Sequence, residues 1–191
     1  YALQRWDEIG YTTDEFLAFY RKCLLYILEK NKQGIFIKEG HAVIFLSKIL
    51  DHYGVNYMEL RSPCGAAVGQ MAYYYDGNVF TCDEGRMLYE MGDASFQIGN
   101  VEKDDYDILI NSRLCRMICK SSILESLPKC CDCAYQPYCG TCPVLNYALE
   151  RDVISHKNRS YRCRIYEGML DVIFEVLMEE ENRKILRSWV E

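Results

Sequence analysis

The sequence predicts an α+β chain, mostly helical, with one small antiparallel β-hairpin and cysteine-rich loops. Three observations carry that reading. A threonine capping box opens an amphipathic run near residue 12, an Asp-Gly turn separates two strand-like runs between Gln70 and Asp83, and seven of the eleven cysteines fall between Cys115 and Cys142. The remaining composition fits an ordinary globular chain. Of its 191 residues 50% are hydrophobic and 26% charged, enough for a sizeable core and too apolar for a disordered chain. A formal charge of -6 without a long Lys/Arg run removes the electrostatic footprint of a nucleic-acid or anionic-lipid partner. The densest apolar stretches, Cys23 to Leu28 and Ala42 to Leu50, are shorter than the roughly 18 residues a membrane span needs. A cytoplasmic protein is expected, with its thiols reduced and turned to metal or redox chemistry.

Thr12-Thr13-Asp14-Glu15 is the capping box, and Phe16, Phe19, Tyr20, Cys23, Leu24, Ile27 and Leu28 continue it as a helix with one apolar face, ending near Asn31 to Gly34. A second helix spans about His41 to His52. Arg61-Ser62-Pro63-Cys64-Gly65 breaks the helical pattern, which puts a domain boundary there: helices over 1–60, a second domain over 61–191. Met71 to Tyr75 and Val79 to Thr81 then form the hairpin around Asp76-Gly77. A loop through Gly92 and Gly99 follows. Helical stretches run from Asp104 to about Ser126, closed by Pro128, then a cysteine-dense loop over 130–142, and a long last helix from roughly Tyr161 to Trp189. The chain begins at Tyr1 without a methionine and reads as part of something longer.

Cys130-x2-Cys133-x5-Cys139-x2-Cys142-Pro143 packs four thiols into thirteen residues. Structural zinc sites commonly separate two CxxC pairs by about 12 to 20 residues, so five is short for one tetrahedral ion. The run is closer to the ferredoxin type, in which three cysteines wrap one cluster and a fourth, followed by proline, reaches a second. Two clusters need further ligands, and Cys64, Cys82 and Cys163 flank the loop. Cys23, Cys115 and Cys119 lie on helical faces and read more simply as small core side chains.

Cys64-x12-Gly77-x4-Cys82, the four-cysteine loop and Cys163 together resemble the SPASM domain of radical S-adenosylmethionine (SAM) enzymes, over about residues 61 to 175. The last gap of the loop departs from that pattern: Gly140-Thr141 gives two residues where three are usual. The words Ser62-Pro63-Cys64-Gly65, Tyr75-Asp76-Gly77, Cys82-Asp83-Glu84-Gly85-Arg86-Met87, Gly99-Asn100-Val101 and Cys133 to Gly140 are most similar to the peptide maturase of the His-Xaa-Ser system and its relatives.

The resemblance implies two auxiliary 4Fe-4S clusters, the first held by Cys64, Cys82 and Cys142, the second by Cys130, Cys133, Cys139 and Cys163. Zinc, or no metal, is the alternative for a fragment made in air. The first set lacks a fourth cysteine. Cys131, Cys115, Cys119, Asp83 or an outside ligand such as a substrate thiolate would complete it, the outside ligand being favoured. Residues 1–60 would be the last helices of, or the connection from, a partial TIM barrel that is otherwise absent, together with its SAM and third 4Fe-4S cluster. Cys115-x3-Cys119 is followed by Ser122 where that cluster's CxxxCxxC loop has cysteine, so this chain alone is expected to be inactive. The implied parent is an oxidoreductase that modifies a precursor peptide or protein with help from a reducing electron donor. The alternatives are a sulfatase-maturing enzyme domain, a two-cluster electron carrier and a zinc-stabilised binding module.

Overall fold

The computed structural model describes residues 10–52, 54, 57–155 and 160–191. They are mostly helical with a small three-stranded antiparallel sheet. The chain divides into two compact units, Tyr1–Gly54 with Asn158–Glu191, and Val55–Lys157. The sequence boundary at Arg61 to Gly65 falls a few residues after the first division. The carboxy-terminal helices belong with the amino-terminal ones.

The first unit is all helical. Helix α1 (Thr13–Lys32) starts as its sequence requires: the Glu15 amide donates to Thr12 Oγ1 at 3.2 Å and the Thr12 amide to Glu15 Oε2 at 2.7 Å. Its buried residues are Tyr20, Leu24 and Leu28, whereas Phe19, expected on the apolar face, is 66% exposed and Cys23 is half-buried. Helix α2 (Gly40–Leu50) buries Ala42, Phe45 and Leu46. The expected single last helix is two helices, Tyr161–Leu177 and Glu180–Ser188, broken at Met178 and Glu179. No Pro or Gly causes the break. Arg183 Nε donates to the Leu177 carbonyl at 2.9 Å, so a side chain satisfies a backbone group that an unbroken helix would pair itself, and Asn182 Nδ2 donates to the Glu179 side chain at 2.8 Å beside it. The first of these helices packs on α1, and the second on α1 and α2, burying Leu170, Ile173, Leu186 and Trp189.

In the second unit the strands β1 (Ala72–Tyr73), β2 (Asn78–Phe80) and β3 (Gln97–Asn100) lie in the order β1-β2-β3. Ala72 pairs with Phe80 and Tyr73 with Val79, as the hairpin pattern predicts, and Gly77 takes the φ of +82° its turn needs. Two elements replace the loop expected after Cys82. Helix α3 (Asp83–Glu90) packs against all three strands, and β3 pairs with β2 across an irregularity at Val79/Phe80. Asn100 Nδ2 reaches back to the Asp76 carbonyl at 3.1 Å, so the hairpin turn is held from β3.

Helices α4 (Tyr106–Ile110) and α5 (Arg113–Ser121) with a 3-10 turn at Leu124–Ser126 fulfil the helical middle. Helix α6 (Pro143–Glu150), absent from the sequence reading, starts at the last cysteine of the loop and packs on α3. The helices Tyr161–Leu177 and Glu180–Ser188 are α7 and α8. Among the described residues, no helix is long and apolar enough to cross a membrane.

Candidate metal centre

Cys64, Cys82 and Cys142, far apart in sequence, share one buried core of the second unit with Ala66, Leu88, Phe96, Ile118, Val144 and Leu145. Local structure delivers each one. Cys82 is the N-cap of α3 directly after β2, and Cys142 is the N-cap of α6, so the packing of α3 on α6 brings two helix starts together. Cys64 arrives on a loop, its amide donating to Ser122 Oγ at 3.0 Å, and the Ser122 hydroxyl, wholly buried at the end of α5, donates in turn to the Ile118 carbonyl at 2.8 Å. Two residues earlier, Ser62 Oγ accepts from the Leu124 amide at 3.0 Å and donates to Glu125 at 2.7 Å. Glu125 also receives Gln136 Nε2 at 2.8 Å, which ties the cysteine-rich loop to the Cys64 loop. Its carboxyl is held below the usual carboxylate range, first by Ser62.

The three thiols are electrically coupled. Burial pushes all of them up, Cys142 to about 12, and thiolate charge on Cys64 raises Cys142 as charge on Cys142 raises Cys82. The half-buried Glu84 raises all three, and Glu59 raises Cys64 and Cys142. Backbone amides act the other way: Ala66 at Cys64, Gly85 at Cys82, and Leu145 at Cys142, where nitrogen and sulfur stand 3.4 Å apart. Among the described residues no three or more His, Cys, Asp or Glu side chains surround a common ion position. The donor set nevertheless suits an iron-sulfur group: buried thiols, each met by an amide that favours its ionised form, inside an apolar shell.

Cys130, Cys133 and Cys139 lie on a tightly wound run of turns and are half-buried. The Cys130 amide donates to the Leu127 carbonyl, that of Cys133 to Cys130 and that of Cys139 to Gln136, at 3.1, 3.1 and 3.3 Å. Gly140 then presses on the 3-10 turn Met58–Leu60, where a Cβ would stand 2.1 Å from the Glu59 oxygen. Cys163 stands in the first turn of α7, in the other unit, its amide donating to Ser160 Oγ at 3.3 Å.

Three of the four additional ligand candidates have other partners. Asp83 is exposed and pairs with Arg86 at 2.8 Å. Cys131 is exposed, its thiol 3.6 Å from Asp132 Oδ2. Cys115 is buried as a core residue, donating to the Leu109 carbonyl at 3.3 Å and accepting from Ser112 Oγ at 3.1 Å, with Cys119 half-buried beside it. Sequence reasoning missed the role of Ser122, whose hydroxyl accepts from the Cys64 amide and for which the sequence carried no signal.

No protein-family profile and no curated protein matches the sequence. The fold does match solved structures. A histidine-tagged anSMEcpe with bound AdoMet superposes with a TM-score of 0.68 at 17% identity, covering 96% of this chain and 46% of the other. Native anSMEcpe with bound AdoMet and the Kp18Cys peptide gives 0.67 at 17% identity, over 92% and 45%. The form with the Cp18Cys peptide gives 0.67 at the same identity, over 91% and 44%. The chain thus has the fold of part of anSMEcpe and spans less than half its length.

Proposed function

We propose that the chain is the auxiliary-cluster part of a radical SAM enzyme that modifies a ribosomally made peptide or protein. One observation carries this: Cys64, Cys82 and Cys142, the three residues the seven-cysteine pattern assigns to one cluster, meet in a single buried core. The likeness to anSMEcpe, a radical SAM enzyme seen with AdoMet and peptides, supports the same reading. In this proposal Cys130, Cys133, Cys139 and Cys163 hold the second cluster. SAM, its cluster and the electron donor belong to the remainder of the parent enzyme, with residues 1–60 at or beyond the end of its barrel.

A bound cluster would supply electron acceptance or a docking point for substrate. The chain's own residues contribute placement, exclusion of water and amide hydrogen bonds to sulfur. Anaerobic reconstitution with iron and sulfide should give brown protein carrying about eight irons, two groups of four. Uptake of zinc alone, or of nothing, overturns the proposal. Within the class, the words around the cysteines favour a His-Xaa-Ser-type maturase, and the likeness to anSMEcpe favours a sulfatase-maturing one. Radical-dependent modification of one substrate class and not the other by the complete enzyme separates them.

A further inference from the structure

Cysteines of both sets hang on one short stretch of the second unit, residues 122–127. Toward the first set, Ser122 Oγ accepts from the Cys64 amide at 3.0 Å, and Ser62 Oγ, two residues before Cys64, accepts from the Leu124 amide at 3.0 Å. Toward the second, the Leu127 carbonyl accepts from the Cys130 amide at 3.1 Å. Gln136 joins two more cysteines through its backbone: its amide donates to the Cys133 carbonyl at 3.0 Å, and its carbonyl accepts from the Cys139 amide at 3.3 Å. Glu125 is the side chain that meets both segments. Its Oε2 accepts from Ser62 Oγ at 2.7 Å and its Oε1 from Gln136 Nε2 at 2.8 Å, one oxygen for each. The Ser62 hydroxyl holds the carboxyl below the usual carboxylate range, so at neutral pH both oxygens accept.

We propose that Glu125 is a positioning residue that couples the two cysteine sets, so that order gained at Cys64 is passed to Cys133 and Cys139, and the reverse. What the coupling serves, joint filling of two cluster sites, rests on the auxiliary-cluster reading. The latch itself is made of the chain's own atoms. Ser62 and Gln136 do not need to touch, because one carboxylate fixes the position of both. Freeing Gln136 lets that carboxylate turn, which loosens its grip on Ser62 and on the loop that ends at Cys64. The effect is reciprocal, as any coupling between two sites must be.

The test is iodoacetamide labelling of the reduced, metal-free 191-residue chain, with the rate read at each cysteine by mass spectrometry. Buried Cys64 reacts only as its loop opens, so its rate reports that opening. Gln136→Ala, on the far side of the carboxylate, should speed Cys64 about fivefold, and Ser62→Ala should speed Cys133 and Cys139 by a similar factor. In a Glu125→Leu chain all three thiols should already be fast, and neither second substitution should add more than about twofold. Glu125→Gln, whose amide can accept from Ser62 and donate to a reversed Gln136 amide, should retain the crossed effects. Cys115, buried in α5 on separate partners, is the internal control and should keep the parent rate throughout. Crossed effects that persist in Glu125→Leu, or a Cys115 rate that rises with the others, overturn the coupling. Anaerobic reconstitution with iron and sulfide is the separate check on the clusters: no iron uptake by a chain whose crossed effects hold overturns the cluster reading and leaves the coupling standing.

Discussion

Gly140→Ala separates close backbone packing from mere loop flexibility at the cysteine-rich segment. The added Cβ would lie 2.1 Å from the Glu59 oxygen, 2.6 Å from Leu60 Cα and 2.7 Å from the Glu59 carbonyl carbon. All three are main-chain atoms, so no side chain can swing aside. Reaching an ordinary 3.4 Å contact from 2.1 Å parts the two segments by about 1.3 Å at the wholly buried Leu60. Overpacking of this kind costs about 1–3 kcal/mol, and a rigid backbone neighbour argues for the upper end. Gly140 is outside the left-handed region, so alanine recovers about 0.4–1 kcal/mol by restricting the unfolded chain. The net is roughly 2 kcal/mol, a fall in melting temperature of about 4–8 °C for a chain of this size. Thermal unfolding of the metal-free protein, followed by circular dichroism, measures it. Gly40→Ala is the control: at the first residue of α2, with nothing within 4 Å of its Cβ position, it should raise the melting temperature by about 1–4 °C. A Gly140→Ala protein melting within about 1 °C of the parent would refute the reasoning.

Ser122→Ala removes the acceptor of the buried Cys64 amide and should destabilise the second unit by about 1–3 kcal/mol, measured by urea unfolding, with Ser126→Ala on the exposed surface close to neutral. The metal-free chain should lose stability in alkali. The folded thiols of Cys64, Cys82 and Cys142 keep protons that unfolded thiols release near 9, so their contribution is complete below about pH 9 and is lost as pH rises toward about 12. Urea midpoints under a reductant should fall between pH 9 and 11, and less in Cys142→Ala. For the two proposed clusters, Cys142→Ser and Cys163→Ser should each remove about half the bound iron and abolish different resonance signals. Loss of the same signal in both would refute the crossed assignment.

The elements legible in the sequence are those whose information is local. Thr12 and Glu15 cap α1 with each other's atoms, and Gly77 supplies a positive φ between two strand-like runs. The elements it concealed depend on distant partners. Gln97–Asn100 has one β-branched residue and becomes a strand because β2 offers it a ladder and Asp76 an acceptor for Asn100. Asp83–Glu90 contains a glycine that weakens helix propensity, yet Phe96 needs that glycine where α3 crosses the sheet. The α7–α8 break carries no Pro or Gly to mark it, and the Leu177 carbonyl it frees is taken by Arg183 from within α8. At the site, the resemblance to the seven-cysteine pattern grouped Cys64, Cys82 and Cys142, while the exposure of Asp83 became visible only with the rotation of α3.

Burial of the three thiols has opposite effects on the metal-free and loaded states. Without metal they behave as small apolar side chains among Leu88, Phe96, Ile118 and Val144, and their neutral form is what lets the core close. Ionising them there is unfavourable, and the carboxylates of Glu59 and Glu84 make it more so. A cation that takes up all three charges at once removes that penalty, whereas one that reaches a single thiol leaves the others to be desolvated unpaired. The arrangement therefore discriminates by the number of donors engaged. Because the thiols begin α3, begin α6 and hang from the end of α5 through Ser122, a group that engaged all three would also link those elements, and its loss would return them to the weaker cohesion of an apolar core.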